Sequence, residues 1–254
     1  LNQLAVAGAI DVNTTGTTAN ATIVNTTAID LAASNVGGDL TATATAGNII
    51  DSGTLTVGGV ASFTTSAPSA TIDLGSLAVT GSVAVNTNGA TGSATIVNAT
   101  ALDFATSSVG FDLNATATTG NITQTGSLTV TGDSTFTTAV TGSNIILDHA
   151  SNAFGVAVTL KAGSGGLLAF GDITFVDSGL VNLDLNADTA GDLFLNTLND
   201  GEVGGNLSVT ATTGTITQGI GLGVTGTGSF TTLQDDQAIT LSNTGNLIGG
   251  DVDF

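Results

Sequence analysis

Only a handful of residues in this chain carry side chains suited to chemistry. His149 is the single imidazole, and the segment Leu147-Asp148-His149-Ala150-Ser151 places a carboxylate and a hydroxyl beside it. Adjacency in sequence is not triad geometry and no nucleophile-elbow motif surrounds Ser151, so this segment reads as a surface turn. Asp235-Asp236 is the only adjacent pair of carboxylates. Glycoside hydrolysis needs two carboxylates that oppose each other across a cleft, and this pair reads as loop charge. Asp184, Asp188, Asp192, Asp200 and Glu202 crowd one short acidic stretch, whose oxygens suit a hard cation such as calcium. The stretch has neither an EF-hand pattern nor the Gly-Gly-x-Gly-x-Asp nonapeptide, and solvated turn aspartates are the reading preferred. No cofactor motif is found, and the chain is expected not to be an enzyme.

Charge narrows the partners. Twenty acidic residues stand against one Lys and no Arg, a formal charge of −19 over 254 residues. Nucleic acids and anionic membranes are recognised through Lys and Arg, which excludes both. A cleft for acidic polysaccharides would need basic residues as well, and Lys161 alone cannot line one. Cys, Met, Trp and Tyr are absent, so disulfides and thiolate metal sites are excluded. The opening LNQLAVAGAI has no basic n-region, and no apolar run is long enough for a transmembrane helix, so membrane insertion is not expected. Asn-x-Ser/Thr sequons occur at Asn13, Asn20, Asn25, Asn98, Asn114, Asn121 and Asn206, as an Asn- and Thr-rich composition generates by itself.

The elements that would position these residues are legible in a repeat. Residues 4–75 align without a gap onto 77–148, an offset of 73, with roughly 40 of the 72 positions identical. A third copy, partly covering 171–254, follows at an offset of 94, and the added length reads as about one inserted turn. Inside the unit, Ile23, Ile49, Ile72, Ile96, Ile122 and Ile145 recur at intervals of about 24 residues. A second column runs through Val12, Leu40, Phe63, Val85, Leu113 and Phe136, and a third through Val6, Leu31, Val57, Val79, Phe104 and Val130. Three columns imply three inward-facing strands per turn. Short alternating segments such as Asp39-Leu-Thr-Ala-Thr-Ala-Thr45, bounded by Gly, Asn and Asp, agree with strands and tight turns. The expectation is an all-β fold: one parallel β-helix or β-solenoid spanning 1–254, with about 10–11 turns of about 24 residues.

Runs such as Thr119-Gly-Asn-Ile-Thr-Gln-Thr-Gly-Ser-Leu-Thr-Val-Thr-Gly132 and Ala115-Thr-Ala-Thr118 resemble the repeat regions of filamentous-haemagglutinin-like bacterial exoproteins. The resemblance implies a right-handed β-helix and an extracellular or cell-surface location. It also implies service as an adhesin stalk or fibre segment, with host or cell-surface glycans among its partners. The terminal segments are ordinary repeat, so copies of the chain, or further repeats of the same polypeptide, are expected to join end to end. Two other functions are weighed, a carbohydrate-active β-helix enzyme and an ice-binding solenoid. For the second, Thr43-x-Thr45, Thr116-x-Thr118 and Thr210-x-Thr212 read as three to four turns apart, which gives no continuous Thr array.

Overall fold

The computed structural model describes residues 3–163, 171–179, 181–183, 192–195 and 202–254, and these contain strands but no α-helix. Every strand pairing among the described residues is parallel, in successive rungs such as Ala21–Asn25 on Leu40–Ala44 and Ile29–Leu31 on Ile49–Asp51. The local cause is visible in Leu40–Ala44, where Leu40, Ala42 and Ala44 are buried while Thr41 and Thr43 face outward. β-Branched Thr suits the outer surface of a pleated strand, and small aliphatic residues suit a narrow interior. The chain coils into a β-solenoid of about ten turns of about 21 residues. One long face carries strands such as Ala21–Asn25 and Leu40–Ala44, and the opposite face begins with short strands in pairs, Ile29–Leu31 with Ser34–Val36 and Ile49–Asp51 with Leu55–Val57. A small third sheet joins Glu202–Val203, Gly223–Val224 and Leu247–Ile248.

The rung is therefore shorter than the column spacing suggests, and the proposed columns are corrected accordingly. Ile49 does stack on Ile72, Ile122 on Ile145 and Val57 on Val79. Ile23, however, lies on the first face, one rung below Ala42, away from Ile49 and Ile72 on the second. Ile96 stacks between Leu74 and Ala115. Leu40 lies between Ala21 and Ala61, and Phe63 between Ala42 and Val85. Leu113 lies between Ala94 and Ser134, Phe136 between Ala115 and Leu160, and Val130 between Val109 and Phe154. All of these column residues are buried, and it is their stacking order that differs.

The difference has one physical source: a copy of the sequence repeat occupies a half-integral number of turns. From Leu40 the first face is crossed again at Ala61, Val83 and Phe104, after which Leu113 comes on the second face, three and a half turns on. Identical segments consequently alternate between faces. The sequence Ala-Thr-Ile-Val-Asn forms Ala21–Asn25 on the first face and Ala94–Asn98 on the second. Leu40–Ala44, Leu113–Ala117 and Leu207–Ala211 fall on first, second and first face in turn. The single-long-strand and paired-short-strand layouts change sides through three strands of seven or eight residues, Ala61–Pro68, Ile72–Val79 and Ser82–Asn88. Pro68, the only proline, closes the first of these.

The added length before the third copy does not form one whole inserted turn. On the first face Ile122, Ile145, Ile173 and Leu207 are successive rungs, so the interval still contains three steps, of which the last two, Ile145 to Ile173 and Ile173 to Leu207, are lengthened. On the second face two strands, Asp192–Leu195 and Val181–Leu183, stand out of chain order between Val158–Lys161 and Ile216–Gln218. Inside this region the aliphatic core gains a run of rings, with Phe136 edge-on to Phe104 and Phe154 at 6.1 Å each and Phe154 stacked on Phe175 at 5.4 Å.

Candidate functional site

At each corner of a solenoid the strand ladder breaks and backbone N–H groups need other acceptors. Here Asn and Asp side chains supply them from one rung below. Asn20 Oδ1 accepts from the N–H of Asp39 at 2.7 Å, and Asp39 Oδ1 accepts from that of Val60 at 2.8 Å. One copy later Asp112 accepts from Asp133 at 3.0 Å, and Asp133 from Ala157 at 3.2 Å. A longer ladder climbs from Asn121 through Asn144, Asp172 and Asn206 to the N–H of Thr227, with bonds of 2.7 to 2.9 Å. Each of these side chains sits immediately before the inward residue that opens a strand, as in Asp39-Leu40, Asn121-Ile122 and Asn206-Leu207.

Buried amides form a second set. Asn98 Oδ1 accepts from Val79 N–H at 2.9 Å, while its Nδ2 donates to Val79 O at 3.0 Å, Ala101 O at 2.7 Å and Thr100 Oγ1 at 3.0 Å. Asn25 repeats this arrangement on Val6, Ala28 and Thr27. Asn152 pairs reciprocally with Gln124 at 2.8 Å in both directions, and Asn246 pairs likewise with Gln218. A signal for Asn25 and Asn98 was present in the sequence, since they end identical strands at equivalent positions of the first and second copies.

The residues expected to carry chemistry are not drawn together. Asp148 and Ser151 are exposed, and the Ser151 N–H donates to His149 Nδ1 at 3.1 Å, which ties the imidazole into its own turn. Asp235 and Asp236 lie in an exposed loop, with Asp236 in the left-handed region at φ 62°. Of the calcium candidates, Asp184, Asp188 and Asp200 lie outside the described residues, whereas Asp192 and Glu202 open strands on different sheets. Among the described residues no three potential ligands gather closely enough to hold a metal ion. One acidic residue went unnoticed in the sequence: Asp177 is buried, and its Oδ1 accepts from Phe154 N–H at 3.1 Å and Ser178 N–H at 2.8 Å. Burial pushes its carboxyl above the usual range, and the hydrogen bonds from Phe154, Ser178 and Gly179 oppose that rise.

The hydroxyl surface also differs from expectation. Thr41 and Thr43 stand in register with Ser62 and Thr64 on the next rung, and Thr116 stands with Thr137 on the opposite face. Hydroxyls thus do line up on consecutive rungs, in short patches; Thr22 extends the first beside Thr41, Val24 borders it beside Thr43, and Ala84 with Asn86 ends it.

A family model described as repeats of unknown function (DUF5649) matches residues 18–74, 91–161 and 182–254. No curated protein and no solved structure matches the chain.

Proposed function

We propose that this chain, which belongs to that family of repeats of unknown function, is a structural and adhesive segment of a large secreted or cell-surface bacterial fibre. The observation that carries the reading is the corner ladder. A series of acidic and amide side chains, from Asn20 and Asp39 through to Asn206, is spent on backbone N–H groups one rung away. Such chemistry serves length, because each rung is satisfied by its neighbours and rungs can be added without new long-range contacts. The resemblance to filamentous-haemagglutinin-like exoproteins supports the same role, with further repeats or copies of the chain continuing it end to end and glycans as partners.

The test is one screen of the purified chain against immobilised glycans and soluble polysaccharides, read both for binding and for release of reducing ends. Binding without cleavage supports adhesion, and release of reducing ends overturns the reading in favour of a carbohydrate-active enzyme. Failure to bind any glycan removes the adhesive part and leaves a spacer.

A further inference from the structure

The repeat provides its own control for one site. In the second copy, the outward carboxylate of Asp103 is closed by two hydroxyls from the next rung, Thr123 Oγ1 at 2.9 Å on Oδ1 and Thr125 Oγ1 at 3.0 Å on Oδ2. The equivalent residue in the first copy is Asp30, and Ile50 and Ser52 replace the two threonines. Ile50 has no donor, and Asp30 Oδ1 is left buried without a hydrogen bond. This half-buried carboxylate borders a groove of about 470 Å3 on the second face, lined by Ala7, Gly8, Ala28, Asn48 and Ile50. Ile50 is 41% exposed and supplies an apolar wall. Asn48 spends its Oδ1 on the N–H of Thr71 at 2.9 Å, which leaves its amide NH2 to donate outward.

We infer that this groove binds a saccharide through a vicinal diol, the two sugar hydroxyls taking the places that Thr123 and Thr125 occupy beside Asp103. The chemistry follows from the copy that is already closed: at this position a carboxylate takes two O–H donors, one on each oxygen. Adjacent ring hydroxyls present such a pair, and a carboxylate acceptor strengthens both bonds. Asp30 Oδ1 is held by no hydrogen bond, so rotation about the Cβ–Cγ bond can turn it toward the ligand. The Asn48 amide donates to a third sugar oxygen, and the C–H face of the ring packs on Ile50 and Ala28. This site deepens the adhesive reading and rests on it only for the class of ligand.

The experiment is a titration of the 15N-labelled chain with methyl glycosides and disaccharides, and in parallel with 1,6-diaminohexane as an ammonium probe. The expected result is saturable shifts confined to residues 7–8, 28–30 and 47–50. Affinity should fall at least about tenfold, some 1.4 kcal/mol, in Asp30→Ala. It should fall similarly in Ile50→Thr/Ser52→Thr, a pair that rebuilds the closed arrangement of the second copy and so should fold. Saturable shifts with the diamine but with no sugar would overturn the proposed ligand class. Absence of shifts with every probe would overturn the site. If glycans bind elsewhere and both variants bind them like the parent chain, this inference fails while the adhesive reading stands.

Discussion

Replacing Asn98 by Ala isolates the value of a buried corner amide. Asn98 is fully buried and its side chain makes four hydrogen bonds to Val79, Thr100 and Ala101. In the alanine variant the Val79 carbonyl keeps Thr100 Oγ1 at 3.0 Å and the exposed Ala101 carbonyl keeps the same hydroxyl at 3.3 Å, but the buried Val79 N–H loses its partner. A buried backbone group left unpaired costs about 1–3 kcal/mol, so the Val79 N–H should set a loss of about that size. Asn25→Ala should cost less, because Leu4 and Val6 in the rung it serves are partly exposed and water can replace the amide. Asn98→Asp separates the acceptor from the donors: it keeps an oxygen for Val79 N–H and turns a carboxylate oxygen toward two carbonyls. That carboxyl is held above its unfolded value, so its stability contribution is present in acid and is lost as pH rises through the folded value. The chain has no Trp or Tyr, so urea unfolding is followed by far-UV circular dichroism, with hydrogen exchange at the Val79 amide as the local readout. A loss below about 0.5 kcal/mol in Asn98→Ala, with Val79 still protected, would refute the reasoning.

Three further outcomes follow from the same rungs. Phe136→Ala, which empties the space between Phe104 and Phe154, should lose about 3–5 kcal/mol in denaturant unfolding, and Phe136→Leu clearly less. Asp177→Asn keeps an acceptor for Phe154 and Ser178 and removes a desolvated charge, but sets an NH2 where the carboxylate faces Gly179, so the expected sign is in the pH dependence: the variant should gain melting temperature relative to the parent as pH rises from acid to neutral. Because the folded Asp177 carboxyl is raised, the parent chain loses its contribution as pH rises through that value, which melting curves across pH would show. A Cβ at Gly110 would lie 1.9 Å from the Gly89 carbonyl oxygen, so Gly110→Ala should cost about 1–3 kcal/mol by the same unfolding assay, while Gly75→Ala, with open space around it, should be tolerated.

Much of the fold was legible because alternation and turn chemistry act locally. Leu40, Phe63, Leu113 and Phe136 are core residues whatever lies above or below them, since each sits on the inward side of a short Thr-rich strand. What sits above and below was not legible. The spacing from Ile23 to Ile49 looks like one step of a column, yet three strands, Ile29–Leu31, Ser34–Val36 and Leu40–Ala44, intervene and the two residues belong to different sheets on opposite sides of the core. The same holds for the acidic residues. Asp39, Asp112 and Asp172 are visible in the sequence as charges before apolar strands, but their acceptor role depends on which N–H lies one rung above. Asp177 gave no signal because its burial follows from the irregular rungs that the lengthened spacing creates.

The half-integral repeat explains why these two kinds of information separate. If a copy held a whole number of turns, equivalent residues would stack on one face and the column spacing would be the rung. With three and a half turns, each copy is turned by half a revolution and raised by about 17 Å, at roughly 4.8 Å per rung. Both broad faces must then accept the same strand sequences, as Ala21–Asn25 and Ala94–Asn98 demonstrate. That requirement favours a core of interchangeable aliphatic residues and corners closed by short Asn and Asp, neither of which depends on a particular opposite face. It also places the outward hydroxyls of Thr41 and Thr43 on one side and those of Thr116 and Thr137 on the other, so each added copy presents its surface alternately left and right of the axis. A rod built in this way can lengthen by duplication without turning all its outward chemistry to one side, and a single difference, Ile50 in one copy where the next has Thr123, is enough to make their surfaces unlike.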